Sequence, residues 1–97
     1  MLRHIAMFRF APETTPDQIE LMVEGLRSLP GHIPEVRAFT IGRDLGLREG
    51  NWDYAVVADF DDVDGWRVYA ADAVHQQVIA EQITPIITER TSVQFEW

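Results

Sequence analysis

The chain has 97 residues, 46% apolar and 25% charged, the size and make-up of one globular domain. It contains no cysteine, so disulfides, thiolate catalysis and cysteine-ligated zinc are excluded. Eight positive residues, all arginine, stand against sixteen acids, for a net charge of −8, which opposes nucleic-acid phosphates and anionic membranes alike.

Leu2 to Phe10 alternates as a strand, with Leu2, His4, Ala6, Phe8 and Phe10 on one face and Arg3, Ile5, Met7 and Arg9 on the other. Thr15-Pro16-Asp17-Gln18 carries the signals of a helix start: a threonine cap, proline at the first position and glutamine where a capping box needs it. Ile19, Met22, Val23, Leu26 and Leu29 continue as an apolar stripe, and Pro30-Gly31 is expected to stop it. Val36 to Arg43 predicts a second strand, with Phe39 and Ile41 on the face opposite Ala38. Asp44 to Asn51, with Gly46 and Gly50, predicts an exposed connection.

Trp52 to Phe60 predicts the third strand, placing Trp52, Tyr54, Val56, Ala58 and Phe60 on one side. Asp61, Asp62 and Asp64 suit a helix cap and first turn, and with Asp59 they read as a solvated acidic face. Trp66, Tyr69 and Ala70 have helical spacing, a break is expected near Asp72, and helix resumes through Val74, Val78, Ile79 and Ile83 before Pro85. Thr91 to Trp97 alternates as a last strand.

Strand, helix, strand, strand, broken helix, strand is the split βαβ pattern of the α+β class: a ferredoxin-like, four-stranded antiparallel sheet with helices on one face, over a single domain of residues 1–97. Ile5, Met7, Phe39 and Ile41 are then apolar on the uncovered face. A second copy packed sheet against sheet would cover them, so a homodimer is expected. No apolar run is long enough to span a bilayer, and the first residues lack a signal-peptide pattern, so the expected location is cytoplasmic with no membrane partner.

Taken in order, Arg3-His4-Ile5-Ala6-Met7-Phe8-Arg9-Phe10, Leu29-Pro30-Gly31 with Ile33-Pro34, Gly42-Arg43-Asp44, Tyr54 to Phe60, and Tyr69 followed six residues later by His75 resemble the stress-responsive A/B barrel (Dabb) family. The resemblance implies dimerisation into an α+β barrel. One branch of that family closes a linear polyketide thioester by an aldol-type reaction without metal or organic cofactor. There a histidine removes the proton beside a carbonyl and a tyrosine holds the substrate and its oxyanion. Carried over by the match, His75 takes the histidine's place, Tyr69 the tyrosine's, and His4 lines the same cavity. The family's His-Pro-X-His run reads Asp72-Ala73-Val74-His75 here, and a histidine on the third strand is replaced by Tyr54.

The residue types support this chemistry independently of any family. Histidine exchanges protons near neutrality, and a tyrosine hydroxyl can stabilise an enolate oxygen. Ala6 leaves room under the helices, with Phe8, Tyr54, Val56, Ala58 and Trp66 expected as pocket walls around a small carbonyl or aromatic ligand. Each polar residue also has a structural alternative: His75 donating to a backbone carbonyl, Tyr69 packing as an aromatic, His4 as an ordinary strand residue. Trp52 and Trp97 are expected at the rim or in a dimer contact. His4, His32 and His75 have no metal-ligand spacing, and neither a phosphate loop nor a serine or cysteine nucleophile motif is present, so no metal or cofactor is expected. The reading is a polyketide-cyclase-like enzyme working without cofactor, or, as the alternative, a non-catalytic stress-associated binding and assembly protein.

Overall fold

In the computed structural model, which describes residues 1–97, the chain forms β1 (Leu2–Phe10), α1 (Pro16–His32), β2 (Ala38–Arg43), β3 (Tyr54–Phe60), α2 (Val63–Ala71), α3 (Ala73–Val78) and β4 (Ile87–Glu96). Between α3 and β4 lie a π-helical turn, Ile79–Ile83, and a 3₁₀ turn, Thr84–Ile86. The four strands make one antiparallel sheet in the order β2-β3-β1-β4. This is the expected ferredoxin-like arrangement, with all helices on one face.

The capping box at α1 forms as its residues predict. The Thr15 hydroxyl accepts from the Gln18 N–H at 3.2 Å and the Gln18 side chain accepts from the Thr15 N–H at 2.9 Å. The apolar stripe then buries Met22, Leu26 and Leu29 almost completely. Helix α1 does not stop at Pro30-Gly31; it runs to His32. Proline removes only its own N–H, and the next turn still closes through the Ile33 N–H to the Leu29 carbonyl at 2.8 Å.

Strand boundaries shift for similar local reasons. Val36 is tied back to Ile33 by a 3.1 Å backbone bond, so β2 begins two residues later than expected. Asp53 donates its N–H to Phe8 and accepts from the Phe10 N–H through its carboxylate, making a bend that delays β3 to Tyr54. β4 starts four residues early, at Ile87.

Register decides which side chains face the helices. Ala58 pairs with His4 and Phe39, and Val56 pairs with Ala6 and Ile41. Phe39 and Ile41 therefore lie on the helix face and pack against the core, contrary to the expectation that they belong to the open face. Alternation within a strand fixes which residues share a side but not which side that is.

The open face is apolar nonetheless. A row of Val57, Ile5 and Val93 crosses β3, β1 and β4, flanked by Met7, Ala55 and Phe95. Val93, Phe95 and Trp97 are about half exposed or more. Arg3 stacks 4.6 Å from the Trp97 ring, and Arg9 4.3 Å from that of Trp52. Arg3 also forms a two-pronged ion pair with Asp59 at 2.8 and 2.9 Å. Asp59, only 7% exposed, thus belongs to the sheet rather than to the solvated acidic face, and the guanidinium holds its carboxyl below the usual range.

Candidate functional site

Helix α2 ends and α3 begins at one residue, Asp72. Its backbone is extended, its N–H reaches the Tyr69 carbonyl at 3.2 Å, and its carboxylate accepts the His75 N–H at 2.9 Å. The second oxygen of that carboxylate lies 3.6 Å from His32 at the end of α1. Because the chain turns at this point, His75 swings back over Tyr69. The two rings stack with centroids 4.0 Å apart, and His75 Nδ1 lies 2.8 Å from the Tyr69 carbonyl oxygen.

That bond sets the tautomer. A carbonyl can only accept, so Nδ1 donates and the neutral ring keeps its lone pair on Nε2. His4 is set the other way: the Gln94 side-chain amide donates to its Nδ1 at 2.8 Å, which leaves the hydrogen on Nε2. The two imidazoles are therefore a proton acceptor and a proton donor. His4 lies 6.0 Å from the Tyr69 ring and 6.3 Å from that of Trp66.

All three polar residues line one cavity of about 440 Å³ between the helices and the β1–β4 half of the sheet. This falls within the range of small-molecule sites, roughly 300–1,000 Å³. Ala6 forms its floor beside Val56 and Ser92, its cross-strand partners, while Phe8 and Trp66 supply apolar walls. A larger hollow, about 570 Å³, lies at the edge of the sheet near Met7, Trp52 and the Asp44–Asn51 connection. It contains no histidine, and the smaller cavity is the better candidate because the three proton-exchanging groups meet there.

Burial shapes their protonation. The His4 pKa is lowered by desolvation first and by the neighbouring His75 second. That of His75 is lowered by desolvation, partly offset by its bond to the Tyr69 carbonyl and by the Asp72 charge. Desolvation pushes the Tyr69 hydroxyl up to about 12. At neutral pH the set is thus a neutral base, a neutral donor and a protonated phenol.

Of the expected site residues, His4, Ala6, Phe8, Val56, Trp66, Tyr69 and His75 line this cavity together. Tyr54 and Ala58 do not, although they lie on the same face. Tyr54 is paired with Phe8 at the far end of the strand, packed against Phe10 with rings 6.1 Å apart, and Ala58 is wholly buried between β1 and β2. Alternation gives the side of the sheet but not the position of the void along it. Gln76, Ile79, Ile83, Arg90 and Ser92 also line the cavity and were not anticipated. Extending the last strand's alternation back to Arg90, and placing that strand beside the first, is the signal that finds the two on β4.

A family model for the stress responsive A/B barrel domain matches residues 2–97. The chain is similar to a dimeric ferredoxin-like protein of unknown function from Thermobifida fusca, with 45% identity over 99% of this chain and 90% of that one, and a TM-score of 0.90. It shares the fold of a hydroxynitrile lyase from Passiflora edulis, at 19% identity, 97% and 90% coverage and a TM-score of 0.85. An uncharacterised protein of Streptomyces coelicolor is 27% identical over 82 residues, 82% of this chain and 84% of that one. No helix is long and apolar enough to cross a membrane.

Proposed function

The chain belongs to the stress responsive A/B barrel domain family, and on that premise we propose that it forms a homodimer through its open sheet face, each copy binding a small carbonyl or aromatic compound and acting on it by acid–base chemistry. The observation that carries this reading is the meeting of His75 and Tyr69 from the helices with His4 from the sheet around one cavity, the two imidazoles in complementary hydrogen-bonding roles.

In the reaction, Nε2 of His75 takes a proton from the carbon beside the carbonyl, and the electron pair of the broken C–H bond moves into an enolate. The Tyr69 hydroxyl and the Nε2–H of His4 donate hydrogen bonds to the developing oxyanion. An enolate formed within a molecule that carries a second carbonyl can attack it, closing a ring in an aldol-type step. His75 then returns its proton to the new alkoxide. Every group needed is a side chain of this protein.

The homodimer is supported by the Val57–Ile5–Val93 row on a face that no helix covers, and by the dimeric state of the Thermobifida fusca structure. Binding without turnover is the second reading. It is favoured by the use of His75 Nδ1 in a backbone hydrogen bond and by Asp72 standing where the family's run has histidine.

The test is solvent-deuterium exchange into the methyl group of 4-acetylbenzamide, followed by proton NMR. The native protein is expected to accelerate exchange and the variant His75→Ala to lose that acceleration. Equal rates in the two proteins overturn the catalytic role. A compound that raises the melting temperature without exchanging favours the second reading.

A further inference from the structure

The charges around the cavity are distributed against the trend of the chain. Acids outnumber bases by sixteen to eight overall, yet none of the fifteen residues lining the cavity is Asp or Glu. The only side chain there that is charged throughout the neutral range is Arg90. It lies on β4 directly across from Phe8, which places it on the helix side of the sheet. It is exposed, and no carboxylate of the chain pairs with it, whereas Arg3, Arg9, Arg37 and Arg67 each have an acidic partner. Ser92, the next residue on that side of β4, adds a hydroxyl beside Ala6. An apolar chamber with proton-exchanging groups inside thus has a free guanidinium and a hydroxyl along its β4 wall.

We propose that Arg90 is a specificity residue and that the ligand is a carbonyl compound carrying a carboxylate. The planar fork of a guanidinium matches a carboxylate through two parallel N–H donors, and Ser92 can give a third hydrogen bond. The net charge of −8 repels anions at a distance, but that field is screened beyond about 8–10 Å at physiological ionic strength, whereas Arg90 acts in contact. The carboxylate lies at the β4 side and the carbonyl end points inward to His75 and Tyr69. This assignment rests on the proposed function for the orientation of the ligand, but its charge preference stands apart from any turnover.

The experiment compares 4-acetylbenzoate with 4-acetylbenzamide, which share shape and ketone and differ in charge. Affinities are measured by calorimetry for the native protein, Arg90→Gln and His75→Ala. The native protein is expected to bind the acid at least about tenfold more tightly than the amide, a preference that weakens as salt rises. Arg90→Gln should lose that preference, binding the acid no more tightly than the amide, with an unchanged melting temperature because the exposed side chain supports no packing. His75→Ala should keep the preference even where exchange is lost. Equal affinity for acid and amide in the native protein, no binding of either at millimolar concentration, or a preference that survives in Arg90→Gln, overturns the inference. Loss of exchange alone overturns only the catalytic reading.

Discussion

The imidazole of His75 stacks on the ring of Tyr69, the planes inclined by 27°, and at the same time donates to that residue's own carbonyl. They stand six positions apart in sequence, about 1.7 turns of an unbroken α-helix, which would put them on different sides of it. The extended backbone at Asp72 brings them together, so the helix break is what builds the stacked pair.

Replacing Tyr69 by Phe separates its two roles. The stacked ring is retained and the hydroxyl is lost, so the fold should persist while deuterium exchange into 4-acetylbenzamide slows by about a hundredfold, the usual effect of removing an oxyanion donor. Proton NMR of the exchange, together with circular dichroism, checks both halves. A rate equal to native shows that the hydroxyl takes no part.

Asp72→Asn and Asp72→Ala should differ from each other. Asparagine still caps α3 through its side-chain oxygen but carries no charge, so the pKa of His75, which the Asp72 charge raises, should fall further with little loss of stability. Alanine loses the cap as well, at about 1 kcal/mol. Titration of the His75 ring by NMR and thermal melts separate the two effects.

The pH dependence follows from the direction of the histidine shifts. His4 and His75 have folded-state pKa values below their ordinary 6.5, so the unfolded chain binds protons more readily. Stability from this source is complete above 6.5 and is lost as pH falls through the lowered folded values. Exchange catalysis should fall in the same window, as Nε2 of His75 becomes protonated. Melting temperatures between pH 7 and pH 5 are expected to drop less in a His4→Gln, His75→Gln double variant than in the native protein. Asp59, held low by Arg3, acts only below about 3.8 and does not blur this window.

Val93→Glu tests the open face. The residue is 53% exposed on an edge strand, so a glutamate there should leave the protomer folded, while facing apolar surface in the proposed dimer. Sedimentation is expected to show a dimer for the native protein and a monomer for the variant at micromolar concentration. A native monomer would remove the sheet-to-sheet assembly altogether.

Local chemistry made much of the architecture legible. The Thr15–Gln18 box, the Asp62 cap and the β1 and β3 alternation each specify their element from a few neighbouring residues. What escaped was set by pairing between distant segments. Phe39 and Ile41 turned inward because β2 meets β3 in a register that no pattern within β2 encodes. Tyr54 and Ala58 lie outside the cavity because the void's position along the strands depends on how the helices sit. His4, Tyr69 and His75 were legible through the family resemblance and ordinary acid–base chemistry. Arg90 and Ser92 were not, since nothing within the last strand tells which of its sides closes over a ligand.

The strand order leaves β4 at the margin of the sheet, and its two cavity-lining residues on the helix side, Arg90 and Ser92, are exposed and hold up no core packing. On the proposed reading, the groups that receive an incoming molecule are thus mechanically uncoupled from those that keep the protein folded. Substitutions along that margin can retune what is admitted without a folding penalty. On that reading a lineage can drift among small-molecule guests while the interior and the stacked His75–Tyr69 pair stay as they are.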